Sequence, residues 1–252
     1  MSNAVSKKKN AEVIPFNKMF EEDSNKGFET VDNQDTATPR LKVLQPLSEE
    51  KKELGATEGD IFNDVSRETF KGEEGVTVIP CGYVRQYVEW VDRGKGSTGA
   101  PVNIYDSSCD IITKTKRDGS KDRLPNGNYV ETCGNHYVLL VKDDLAEPCV
   151  ITMKSTALKK SRKWNTMMKS LKINGQNGPF TPPMFSKFYK LKTVREENDQ
   201  GFWYNWDITA EDFLSDKDKN LYAMAKDFSN FVSDGTATVK HEQDVEKQSS
   251  PY

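Results

Sequence analysis

The sequence predicts an α+β fold, mainly β with helices: a five-stranded Greek-key barrel with a plugging helix and a C-terminal helix. Three observations predict it. Long β-branched and aromatic runs at Val76–Val91 and Tyr129–Val141 read as strands. The apolar spacing changes to a helical period between Ala157 and Leu171, and strand-like segments resume from Ser186 to Ile208. The element order is therefore β-β-β-α-β-β-α.

Each element has its own signature. VTVIPCGYVRQYVEWV (Val76–Val91) is one long or bent strand, and Pro80 with Gly82 places a kink or bulge midway. Residues 92–128 are rich in Gly, Asp and Lys and predict a long, mobile insertion. Asn126–Gly127 turns the chain into the second strand, and Asp143–Asp144 turns it into the third, Cys149–Met153. Ala157, Ser161, Trp164, Met168 and Leu171 then share one helix face, with Ser155 or Thr156 as cap and Asn174–Gly175 as the left-handed stop. Three prolines stiffen the loop Gly178–Phe185. Ser186–Arg195 and Phe202–Ile208 follow as strands joined by a turn at Asn198–Gly201. Leu221, Met224, Phe228 and Phe231 mark the last helix, capped near Ser215 and ended before Gly235. Residues 1–38 and 234–252 are too poor in large apolar groups to offset their ordering entropy, so both ends are expected to be disordered around a domain at 39–233.

Charge is distributed unevenly. Between Pro148 and Arg195 the chain carries eleven basic residues and no Asp or Glu, which leaves 25 basic residues against all 39 acidic ones elsewhere. A net charge of −3 thus conceals a segment at +11 in a background of −14. Within or just after that segment stand Trp164, Phe180, Phe185, Phe188, Tyr189, Phe202, Trp203, Tyr204 and Trp206. Cations without nearby acid attract a polyanion, and interleaved rings stack on bases, so the segment points to nucleic acid. Candidate phosphate contacts are Lys159, Lys160, Arg162 and Lys163 on the helix, Lys187, Lys190, Lys192 and Arg195 on the following strand, and Arg85. Candidate stacking rings are Tyr87, Tyr189 and Trp203. Alternation turns Phe202, Tyr204, Trp206 and Ile208 inward and leaves Trp203 outward, while Trp164 belongs to the core.

Other classes find less support. No apolar run approaches the roughly 18 residues that cross a bilayer, and no signal-peptide h-region is found. Cys81, Cys109, Cys133 and Cys149 are scattered, as reduced thiols of a cytosolic protein would be. Cys133 and His136 are spaced like metal ligands, but one pair is no motif, and no metal or other cofactor is expected. A metal-dependent nuclease needs clustered carboxylates, which the basic segment lacks, and no phosphate-cradling glycine loop is present.

Three antiparallel strands, a helix and two more strands is the order of the OB-fold, a small barrel that binds single strands, with Trp164, Met168 and Leu171 as its plug. RLKVLQPLS (Arg40–Ser48), EGDIFNDV (Glu58–Val65), VIPCGYVRQYVEW (Val78–Trp90), LPNGNYVET (Leu124–Thr132), KSTALKKSRKWNTMM (Lys154–Met168) and GPFTPPMFSKFYKL (Gly178–Leu191) resemble a family of tailed-bacteriophage single-stranded DNA-binding proteins. The resemblance spans residues 40–208. It implies an OB-fold and non-catalytic, sequence-independent binding of single-stranded DNA in phage replication and recombination, in the host cytoplasm. It also implies replication or recombination partners reached through the C-terminal tail. The alternative is an RNA-binding or virion-structural protein with a basic contact surface.

Overall fold

Two long strands organise the molecule, and their composition explains why. In the computed structural model, which describes residues 16–31, 35–94, 96–142, 145–199, 201–235, 239, 241 and 243, strand β4 (Val76–Trp90) pairs antiparallel with β8 (Tyr129–Lys142) along its whole length. They are the most β-branched and aromatic runs of the chain, suited to a pleated surface covered on both faces. The register shifts between Pro80 and Gly82, so Cys81 is the extra residue of a bulge where the proline and glycine predict one.

Helix α1 (Phe16–Glu22) belongs to a separate N-terminal unit. In the second unit the other elements build on this pair: β1 (Leu41–Val43), helix α2 (Glu50–Leu54), β2 (Ile61–Asn63) and β3 (Thr69–Phe70) precede β4, and β1, β2 and β3 form a small sheet. Then come β5 (Asn103–Asp106), β6 (Lys116–Asp118) and β7 (Lys121–Arg123). β9 (Leu145–Lys154) pairs with β8, and helix α3 (Leu158–Ser170) follows a single 3-10 turn at Ser155–Ala157. A hairpin of β10 (Ile173–Gly175) and β11 (Gly178–Phe180), strands β12 (Lys187–Asn198) and β13 (Gly201–Phe213), and helix α4 (Lys219–Ser233) complete the chain. The main sheet runs β13-β12-β4-β8-β7-β6, with β5 on β4 and β9 on β8.

The class is thus α+β with mostly antiparallel strands, but the expected closed five-stranded barrel is corrected. Among the described residues no ladder joins β9 to β13. Part of the gap is filled by the segment before β2: Val150 of β9 donates to the Pro39 carbonyl, and Arg40 bridges Val150 in parallel. On the other side, Gln45 donates to the Tyr204 carbonyl at 2.8 Å and accepts from the Tyr204 amide at 3.0 Å. A glutamine side chain therefore satisfies the β13 backbone that a neighbouring strand would otherwise pair.

Two cores lie on the two faces of the sheet. One gathers Val78, Val138, Ile151, Tyr189, Leu191 and Trp206 under Trp164 and Met168 of α3. The other gathers Ile79, Cys81, Tyr137 and Leu139 under Leu221, Ala225, Phe228 and Val232 of α4. Gly82 is required there, because a Cβ would stand 2.7 Å from a Val232 methyl. α3 ends at Ser170, and Asn174–Gly175 enters the β10–β11 hairpin instead of stopping the helix. Met224, expected on the inner face of α4, is exposed, and Ala225 and Val232 take that face.

Two of the segments expected to be mobile or disordered contain residues with defined contacts. Residues 92–128 carry regular structure, anchored by Glu89: its carboxylate accepts from Asn103, Tyr105, Asn126 and Asn128, the Tyr105 hydroxyl at 2.6 Å. Ile111, Tyr87 and Val130 add a small core of their own. Near the C-terminus Val239 packs in the α4 core, and His241 and Gln243 are buried. His241 meets Gln86 at 2.9 Å, and Gln243 donates to the Val91 carbonyl at 2.7 Å. The N-terminal unit, taken by itself, holds the short helix α1 and a series of turns, and none of its described residues is buried. The disorder expected at 1–15, 32–34, 236–238, 240, 242 and 244–252 falls outside the described residues.

Candidate nucleic-acid interface

Helix α3 carries the densest positive charge, and its position follows from two buried side chains. Trp164 is fully buried and stacks on His136, ring centroids 4.6 Å apart, and Met168 one turn on enters the same core. Ser161, also buried, meets His136 Nε2 at 2.8 Å. With Ser161, Trp164 and Met168 facing the sheet, 3.6-residue periodicity turns Lys159, Arg162, Lys163 and Lys169 to solvent, and all four are exposed. None of these four joins an ion pair among the described residues. Outside the acid-free segment, Lys51, Arg67, Lys71, Lys114, Arg117, Lys121, Arg123, Lys142 and others are paired with carboxylates.

Lys160 differs from its neighbours. Its ammonium lies 2.9 Å from Glu196 Oε1, while the other oxygen of Glu196 accepts from the Trp203 indole at 3.1 Å and from Asn205 at 2.8 Å. Burial works to raise the Glu196 pKa, but the hydrogen bonds from Asn205, Lys160 and Trp203 outweigh it and hold the carboxyl below its ordinary value. One carboxylate therefore neutralises a helix cation and orients Trp203. Sequence reasoning missed Glu196, although the turn at Asn198–Gly201 folds β13 back so that Glu196 faces Trp203 directly.

Trp203 lines a groove of ≈ 810 Å³ together with Phe202 and Tyr204. The residues leading into α3, Ser155 and Thr156, line it too, and no side chain caps the helix amides there. Lys42, Arg93 and Lys154 bring positive charge to the walls, and Glu49, Glu50 and Glu53 of the α2 region bring negative charge. His241 and Gln243 also line this groove.

The structure separates other expected site residues from this surface. Tyr189 is a core residue, 1% exposed, with its ring edge on Trp164 at 5.7 Å, and so presents no stacking face. Tyr87 is 8% exposed and covered by Ile111 and Val130, because the insertion folds over it; Arg85, exposed, lies 5.8 Å above its ring. Lys190 and Lys192 alternate with the core residues Tyr189 and Leu191, and so project from the strand face whose Phe188 packs with α4. Lys192 stands opposite Asp207 in the ladder, and Lys187 lies 4.3 Å above the Phe213 ring. Arg195 pairs with Glu197 at 2.6 Å and lies 4.4 Å over Phe202, at the rim of the groove. Glu196 thus joins Lys160 to Trp203, Lys159, Arg162 and Lys163 share the exposed face of α3, and Tyr87, Tyr189, Lys190 and Lys192 belong to neither group.

No three-residue cluster of His, Cys, Asp or Glu suited to a metal occurs among the described residues. No helix among them is long and apolar enough to cross a membrane. No curated protein and no solved structure matches the chain. A family model described as Pam3 phage gp34-like protein matches residues 7–238, nearly the whole chain. On that match, the chain belongs to the Pam3 phage gp34-like protein family, a family of phage proteins.

Proposed function

We propose that this chain is a non-catalytic, largely sequence-independent single-stranded DNA-binding protein that serves phage DNA replication and recombination in the host cytoplasm. The observation that carries the reading is the outer face of α3. Lys159, Arg162, Lys163 and Lys169 stand exposed and, among the described residues, without an ion pair, on a chain whose net charge is −3 and many of whose other described cations pair with carboxylates. Like charges so close repel one another, and phosphates relieve that repulsion. Trp203, oriented by Glu196 at the groove beside the start of α3, supplies a ring of the kind that stacks on unpaired bases.

The pairing order supports an OB-type reading. β4, β8 and β9 form a meander, α3 follows, β12 returns to β4 and β13 to β12, with residues 39–45 standing between β9 and β13. A hydrolytic role draws no support from the acids. Asp60 is held by Lys71 and Thr57, Glu89 by four donors of its own, and Asp92 by Lys121 and Arg123. Of the two buried histidines, His136 is fully enclosed, and burial pushes its pKa down to about 3. It is neutral and closed to substrate.

Fluorescence anisotropy with one sequence presented as single-stranded DNA, duplex DNA and RNA tests the reading. Tighter binding to the single DNA strand than to the duplex, with little dependence on base sequence, is the expected result. Equal or tighter duplex binding refutes it, and a clear preference for RNA transfers the role to RNA.

A further inference from the structure

The β10–β11 hairpin has no place in either core, yet it carries a large ring. All residues from Asn174 to Thr181 are exposed, and Phe180 is 45% exposed. An isolated two-stranded hairpin is marginal in water, and three local devices hold this one. Gly178, at φ +104°, makes the turn that a side chain resists. Pro179 stiffens β11. Gly175 lies under the Phe180 ring so closely that a Cβ there would come within 2.9 Å of the ring carbons. The ring is therefore set against a glycine, with much of its remaining surface in water. Exposing such a ring forgoes the stabilisation that burial gives, and nothing within the hairpin recovers it.

Charge surrounds the hairpin on the helix side. Lys169 in the last turn of α3 is exposed, and Lys172 at the start of the hairpin reaches Thr181 Oγ1 at 2.6 Å, across its base. No acidic residue occurs anywhere from Pro148 to Arg195. A ring in a fixed orientation, flanked by cations without acid, has the composition of a single-strand contact.

We infer that the β10–β11 hairpin is a second contact point for a single nucleic-acid strand. Phe180 stacks on an unpaired base, and Lys169 and Lys172 meet the adjoining phosphates, so that the strand continues past the C-terminal end of α3. This rests on the single-strand-binding reading and adds to it a ring outside the Trp203 groove.

The test compares full-length wild type, Phe180→Ala, Phe180→Tyr and the triple variant Lys159→Gln/Arg162→Gln/Lys163→Gln on an oligothymidine strand and on duplex DNA. Phe180→Ala should weaken single-strand binding roughly five- to 150-fold, the range expected for one base–aromatic stack, with an unchanged salt dependence. Phe180→Tyr should restore most of the affinity, and duplex binding should not move. If wild type binds and the triple variant weakens while Phe180→Ala binds like wild type, the hairpin proposal fails and the α3 reading survives. If wild type binds no strand at all, both fail. Ultraviolet crosslinking of wild type to the same strand, read by peptide mapping, removes dependence on the variant's folding. A crosslink in Gly178–Thr181 supports the contact, and crosslinks confined to other segments overturn it.

Discussion

Replacing Lys159, Arg162 and Lys163 together with Gln probes the surface on which the functional reading rests. All three are exposed and unpaired among the described residues, so each is free to meet a phosphate and release a condensed counterion. For a single strand each engaged phosphate contributes about −0.7 to the slope of log affinity against log salt, so the triple variant should lose up to about 2 units of slope. A roughly fourfold rise in salt should then weaken the variant about 15-fold less than wild type. Anisotropy titrations at several salt concentrations give both numbers. Stability should hold or rise slightly, because like-charge repulsion along one helix is relieved.

Glu196 makes the test sharper by reversing its sign. The carboxylate neutralises Lys160 at 2.9 Å, so Lys160→Gln should cost less slope than any of the three free cations. Glu196→Gln keeps an oxygen for the Trp203 indole but releases Lys160, so the slope should steepen by about 0.7 and affinity at low salt should increase. Both partners are partly solvated, so stability should change by no more than about 1 kcal/mol. If the triple variant leaves affinity and slope untouched, or if Glu196→Gln weakens binding with a flatter slope, the α3 surface is a solvated face and the reasoning fails.

Three further outcomes follow from the same structure. Burial acts to raise the Glu89 pKa, but hydrogen bonds from Asn128, Tyr105, Asn103 and Asn126 outweigh it and hold it at about 2 against an ordinary 4.5. Its contribution, about 3 kcal/mol, is therefore complete above pH ~4.5 and lost as pH falls toward ~2; Glu89→Gln should flatten that part of the pH–stability curve measured by denaturant unfolding. Gln243→Ala removes donors to the Val91 carbonyl and the Tyr129 hydroxyl and should cost about 1–2 kcal/mol in a thermal melt, where no change would show that this segment leaves the sheet in solution. Tyr189→Ala should lose about 3–5 kcal/mol of stability as a core cavity, while Trp203→Ala should lower DNA affinity with an unchanged salt slope and little loss of stability; the opposite pattern would exchange their roles.

The parts of the fold legible in the sequence are those stabilised by apolar periodicity. β4 and β8 announce themselves by composition, the bulge at Cys81 by its flanking Pro80 and Gly82, and the inner face of α3 by Ser161, Trp164 and Met168. The insertion does not, because polar bonds to Glu89 hold much of it, and Asn103, Tyr105, Asn126 and Asn128 have no period to detect. The docked C-terminal residues escaped for the same reason: His241 and Gln243 are buried through hydrogen bonds, which a hydropathy pattern reads as solvent. Barrel closure was not legible, since element order says nothing of whether β9 and β13 meet.

For the site, the sequence located the charge but not its neutralisation. A run without Asp or Glu is visible by inspection, and on α3 it becomes a surface because buried Trp164 and Met168 leave the lysines no other direction. On β12 the same density of cations is divided by strand alternation, so Lys190 and Lys192 leave on the face opposite Tyr189 and Leu191. Whether a ring in an alternating strand is covered depends on what packs over it. Tyr87 is covered by an insertion and Tyr189 by the very helix that carries the cations. Trp203 escapes full burial because Glu196, the first acid after the basic run, bonds its indole at the groove while pairing with Lys160. The residue that ends the acid-free segment thus couples its charge to its best-placed ring. That coupling depends on a strand register set by the β12–β13 turn, so counting charges along the chain could not show it.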